Sequence, residues 1–185
     1  MGDKNNLPKP EELLYAPVLQ MLKKVFDARY VDESVMYPLQ RAIEIKNPRL
    51  EITAHGNMSD ELQSHFDYFM FKKLFAEKLH PDIMGYVTKK KTGTEFITVE
   101  IKHDDLTLKD LMQAKLYEAV FNSKHSFLFS PTGMSVQKLE VVLQHDEALR
   151  GNVIIGKCGE DGHMFRISPK LTDKTPKYFQ DLCRY

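Results

Sequence analysis

Asp82, Glu100 and Lys102 are the residues whose types and spacing say most about this 185-residue chain. Asp82 follows Pro81, and Glu100-Ile101-Lys102 begins eighteen residues later. Two carboxylates about a metal diameter apart form a hard oxygen site for Mg²⁺ or Mn²⁺. Such an ion takes one or two carboxylates and leaves its other positions to water and phosphate. A lysine beside them orients or helps deprotonate the attacking water and offsets charge on pentavalent phosphorus. The chemistry is metal-assisted hydrolysis of a phosphodiester, with the ion as Lewis acid and source of hydroxide.

A β-hairpin is the element that must bring these groups together. Residues 82–88 and 95–100 are rich in Val, Ile, Phe and Tyr, and Lys89-Lys-Lys-Thr-Gly-Thr94 separates them as a turn. A turn centred on Thr92 sets Asp82 opposite Lys102. Opposed residues share a face of a sheet, as do residues i and i+2, so all three side chains project together. A slip of one residue would send Asp82 to the other face. A helix follows, capped by Thr107 with Asp110 three residues on. Its apolar stripe, Leu108, Leu111, Met112, Leu116, Ala119 and Val120, is expected to pack on the sheet. Gln113 and Tyr117 stand one turn apart beside that stripe, within reach of the carboxylates. Lys115, on the same turn, reads as a solvent lysine.

These residues carry a family resemblance. Pro81-Asp82 with Glu100-Ile101-Lys102 resembles the signature of the PD-(D/E)XK nuclease superfamily. Gln113-Ala-Lys-Leu-Tyr117 is similar to the Q-x-x-x-Y motif of its RecB-like and Cas4-like branch. The matched region runs from about residue 80 to about 130. The resemblance implies an α/β, restriction-endonuclease-like fold. Its core order is α-β-β-β-α-β, a mixed central sheet flanked by helices, here with N-terminal helical additions. It also implies that Asp82 and Glu100 hold Mg²⁺ (or Mn²⁺ as substitute), with the Ile101 carbonyl a further candidate ligand. Lys102 would position the water, Gln113 and Tyr117 would position the site or substrate, and the substrate would be nucleic acid, DNA first. Many members add an acid or histidine from an upstream helix, for which Glu12, Glu61, His65 and His80 are the candidates. His103 should point away. The Cas4 branch binds an iron–sulfur cluster through four cysteines, which Cys158 and Cys183 cannot supply.

The tripeptide alone is common, since Glu44-Ile45-Lys46 repeats it in the same chain. That copy runs into Asn47-Pro48 and lacks an upstream Pro-Asp. The ordinary alternative for Asp82 is an acid that starts a strand, and for Glu100 and Lys102 a cross-strand ion pair. The second functional reading follows from it: a catalytically inactive nuclease-fold module that binds nucleic acid, a protein partner or a second copy.

Composition sets the remaining bounds. Twenty-six Lys and Arg balance twenty-six Asp and Glu, giving no net charge. Affinity for DNA comes largely from counterions released by basic residues, so weak or partner-assisted binding is expected. The lysine clusters at 23–24, 72–73 with 78, and 89–91 read as solvated faces. No apolar run approaches membrane length and the first residues resemble no signal peptide, so a cytoplasmic chain is expected. Phosphate-loop and dinucleotide glycine motifs are missing. His55, His65 and His80 lack zinc-hydrolase spacing, and Cys158 reads as a structural turn cysteine.

Elsewhere the pattern alternates helix and strand. A helix is expected from about residue 10 to 29, interrupted at Pro17, then an extended stretch over 35–45 and a short strand over 49–54. A long helix is expected over 59–79, with Leu62, Phe66, Phe69, Met70 and Leu74 on one stripe. After the Gln113 helix come a strand at 126–130, a helix over 135–150, a hairpin over 152–168 and a short helix from Thr175-Pro176. Residues 1–185 read as one domain: an N-terminal segment (1–58), a motif-bearing core (59–131) and a C-terminal segment (132–185). One ambiguity concerns the core's first helix. Either it is residues 10–29, with the second helix an insertion, or an early strand has been rearranged.

Overall fold

Short runs of β-branched and aromatic residues, punctuated by glycine and by capped helices, fold into a mixed sheet with helices against it. The structure, a computed structural model, describes residues 9–36, 46–66, 77, 79–89, 93–145, 149–159 and 165–167. In chain order these form α1 (Glu12–Met36), β1 (Lys46–Ile52), the single turn α2 (Asp60–Gln63), β2 (Ile83–Lys89) and β3 (Gly93–Ile101). There follow α3 (Leu108–Val120), β4 (Ser123–Ser130), α4 (Val136–Gln144), β5 (Val153–Cys158) and the three-residue β6 (Phe165–Ile167). The six strands lie side by side in sequence order. Strands β1 to β3 form an antiparallel meander, β3, β4 and β5 are parallel, and β6 returns antiparallel. The fold is α/β, and among the described residues the order through β4 is α-β-β-β-α-β once α2 is set aside.

Helix α1 is the long helix that precedes β1 among the described residues. It is unbroken from Glu12 to Met36, so Pro17 does not interrupt it and Val35 and Met36 are helical rather than extended. Near the helix start, Pro17 removes only the bond to the Leu13 carbonyl, beside an exposed side chain. The expected helix over 59–79 is, in its described part, the turn α2, capped by the Ser59 hydroxyl and followed by a bend. Residues 67–76, the rest of the extended stretch (37–45) and the C-terminal helix lie outside the described residues. The hairpin at β5–β6 is as expected, and α4, capped by Ser135, is described to Gln144.

Strand β3 lies at the centre, and Ile97 to Ile101 are buried without a break. Buried runs of this kind mark a strand covered on both faces. Against one face α1 sets Phe26 edge-on to Phe127 and His125 of β4. On the other, Tyr117 and Phe121 of α3 pack with Met84, Tyr86 and Leu62. Gly85 is required where β1 bulges against β2, because a Cβ there would lie 2.0 Å from the Arg49 carbonyl oxygen.

The face of α3 that packs differs from the expected stripe. Leu111, Ala114 and Tyr117 are buried, while Leu108, Met112, Leu116 and Ala119 are exposed. The inner stripe is Leu111, Ala114 and Tyr117, and the Ser126 hydroxyl of β4 donates to the Ala114 carbonyl at 3.4 Å. The capping box expected at Thr107 and Asp110 is present in both directions.

Candidate active site

Asp82 starts β2 with its backbone tied on both sides. Its N–H donates to the Val99 carbonyl, and its carbonyl accepts from Thr53 and Ala54. The Thr53 hydroxyl, fully buried, donates to the Pro81 carbonyl at 2.6 Å. Proline suits the position before it because it offers no N–H needing a partner. In the hairpin Ile83 pairs with Val99 and Lys89 with Gly93. That register is two residues from the expected one and sets Asp82 level with Glu100 instead of Lys102. A shift of two preserves the face, so Asp82, Glu100 and Lys102 still meet.

Their geometry is close. The Lys102 ammonium donates to Glu100 Oε1 at 2.6 Å and lies 3.5 Å from Gln113 Oε1. Gln113 in turn donates from Nε2 to the Tyr117 hydroxyl at 3.0 Å. Asp82 Oδ2 accepts from the Ile101 N–H at 2.6 Å, so Ile101 enters through its amide. Asp82 Oδ1 accepts from the Tyr15 hydroxyl at 2.9 Å. Glu100 is 3 % exposed, and its Oε2 is buried with no hydrogen-bond partner among the described residues. A buried carboxylate oxygen left unpaired is costly, and such atoms ask for an explanation.

Electrostatics repeat the message. Burial, then the Asp82 charge, pushes the Glu100 carboxyl from 4.5 up to about 8, although Lys102 opposes this. Burial pushes Asp82 from 3.8 to about 6 against the bonds from Ile101 and Tyr15. Burial works to lower Lys102, but the carboxylates beside it prevail and hold it raised. Burial also raises Tyr15 and Tyr117, helped at Tyr15 by the adjacent Asp82. Each of these five shifts favours a proton, whereas burial lowers His80 of the same cleft. Two buried acids share one ammonium, and the cluster carries more negative charge than its surroundings stabilise.

These groups line a cleft of about 230 Å³ together with Lys9, Glu11, Glu12, Ala54, His55 and His80. Of the upstream candidates, Glu12 and His80 are brought to the cleft. Glu61 accepts from the Tyr86 hydroxyl at 2.8 Å and pairs with Arg49, and the His65 ring lies against Tyr86 at 3.9 Å, so neither contributes. His103 is exposed beside Asp104, as expected, and Lys115 lines a different cleft. Glu11, Tyr15 and His55 are additions that sequence reasoning missed. Glu11 and Tyr15 stand one turn apart at the start of α1, but acids there also read as ordinary complements to the helix dipole.

Asp82 and Glu100 fit a hard divalent cation by donor type and by the unpaired Glu100 oxygen. Among the described residues no group of three His, Cys, Asp or Glu is arranged to hold a metal unaided. Two carboxylates with water and phosphate is the Mg²⁺ habit. No helix among the described residues is long and apolar enough to cross a membrane. Compared with protein-family models, with curated proteins and with solved structures, the chain matches none.

Proposed function

We propose that this chain is a Mg²⁺-dependent nuclease of the PD-(D/E)XK type that hydrolyses phosphodiester bonds, DNA being the first substrate to test. The observation that carries the reading is Glu100 Oε2, a buried carboxylate oxygen with no partner among the described residues, beside Asp82 and Lys102 in a polar cleft. Mg²⁺, or Mn²⁺ in its place, would be held by Asp82 and Glu100 and would supply Lewis-acid activation of water and phosphate. Lys102 keeps its proton, bonded to Glu100 and close to Gln113, and turns its remaining N–H donors toward water and the substrate phosphate. Gln113 fixes the Tyr117 hydroxyl by donating to its oxygen, which leaves the phenolic proton for the cleft. Lys9 adds a cation at the rim. Inside the cell, a protein or a second copy would add the grip on DNA that zero net charge withholds.

One observation favours the alternative of an inactive nuclease-fold module. A 2.6 Å bond between Lys102 and Glu100 is also what a structural ion pair would show. Cleavage of a panel of DNA and RNA substrates with Mg²⁺ and Mn²⁺ separates the two. Activity that needs the ion and disappears in Asp82→Ala and Lys102→Ala, both still folded, supports the enzyme. Activity persisting in both variants, or missing from the unaltered chain with every substrate, defeats it.

A further inference from the structure

Among the described residues two tyrosines donate a hydrogen bond to a carboxylate, Tyr15 and Tyr86, and of these two bonds the one from Tyr15 reaches the cleft. Tyr86 donates to Glu61 at 2.8 Å, on a side chain that also meets Arg49 in solvent. Tyr15 donates to Asp82 at 2.9 Å across sixty-seven residues of chain. Its ring belongs to the same core as Leu14, Val18 and Leu22 of α1, so the hydroxyl cannot follow Asp82 if the carboxylate turns. The Ile101 N–H holds the other Asp82 oxygen from β3. Asp82 is thereby gripped from a helix and from a strand, one donor to each oxygen. Each oxygen keeps a lone pair directed elsewhere, since a carboxylate offers about four acceptor sites in all.

We propose that Tyr15 is a positioning residue: its hydroxyl sets the rotation of the Asp82 carboxylate and so makes the first turns of α1 part of the cation site. The proposal rests on the nuclease reading for what Asp82 holds, though not for the bond itself. Partners that orient a metal-binding carboxylate typically contribute 10–100-fold to metal affinity. Phenylalanine at position 15 keeps the packed ring and removes only the donor. Without it the Asp82 carboxylate is held by Ile101 alone and turns about its last bond.

The test compares Tyr15→Phe with Tyr86→Phe in the full chain by two measurements. The first is the amide proton of Ile101 by NMR without metal. Tyr15→Phe should shift that signal upfield and speed its exchange, while Tyr86→Phe leaves it in place. The second is Mn²⁺ affinity by calorimetry, where Tyr15→Phe should bind about ten-fold more weakly and Tyr86→Phe as the unaltered chain does. An unmoved Ile101 amide, or an unmoved Mn²⁺ affinity, in Tyr15→Phe overturns the proposal. Loss of the fold in that variant overturns it too, since the hydroxyl is assigned a local role. If the unaltered chain binds no Mn²⁺, the cation reading fails, and the Ile101 signal still decides whether Tyr15 holds Asp82.

Discussion

Strand β3 carries a carboxylate near each end, and the two are treated differently. At its start Glu95 meets His125 at 3.5 Å, one acid against one imidazole, with Phe26 edge-on to the ring at 5.4 Å. At its finish Glu100 shares one lysine with Asp82 and keeps an oxygen unpaired. The cleft at the Glu95 end is the larger, about 460 Å³ against about 230 Å³, yet its charges are matched. Lys115 and Lys124 line it together with Glu95 and Glu118, and Glu118 accepts both the backbone N–H and the amide of Asn152. Size is therefore a poor guide here. A surplus of buried negative charge is what separates the Glu100 end from the Glu95 end.

The comparison can be broken at four points. The largest effect belongs to Asp82→Ala and Lys102→Ala, each expected to cost cleavage on the order of 10³-fold, as several kcal/mol of transition-state stabilisation would. Glu95→Gln, at the other end, should leave the cleavage rate within about two-fold. It should instead lose about 1–3 kcal/mol of stability by weakening its bond to His125, read as a lower unfolding midpoint.

Glu100→Gln should do the reverse. Its folded carboxyl sits near 8 and that of Asp82 near 6, both above their ordinary values. Groups raised on folding contribute stability that is complete below the unfolded values and is lost as pH rises through the folded ones. The metal-free chain should therefore weaken between about pH 4 and pH 8. Glu100→Gln should flatten that slope, gaining on the order of 1–2 kcal/mol at pH 8 and roughly 3–6 °C in Tm. A thermal melt series with chelator checks the sign. The smallest effect is expected on the outer face of α3, where Met112→Ser should change stability by less than about 0.5 kcal/mol. Leu111→Ala, on the inner face, should cost about 2–5 kcal/mol.

Much of this was legible before any coordinates. Alternation in a hairpin ties Asp82 and Glu100 to one face, and a register two residues off does no harm because parity survives. Caps announce helices by local chemistry alone, so Thr107 with Asp110 was readable. The face of α3 was not, because periodicity finds the most apolar stripe, whereas the packed stripe of Leu111, Ala114 and Tyr117 includes a polar hydroxyl bonded to Gln113. Tyr15 was out of reach for a different reason. Its partner lies sixty-seven residues away, and nothing in the spacing along α1 indicates which of its polar groups will meet the end of β2.

The central claim is that Asp82 and Glu100 together hold a divalent cation, and titration calorimetry with Mn²⁺ tests it most directly. The unaltered chain should bind one Mn²⁺, and Glu100→Gln, folded and at least as stable, should bind none. An unaltered chain that takes up no Mn²⁺, or a Glu100→Gln chain that binds it equally well, would contradict the account.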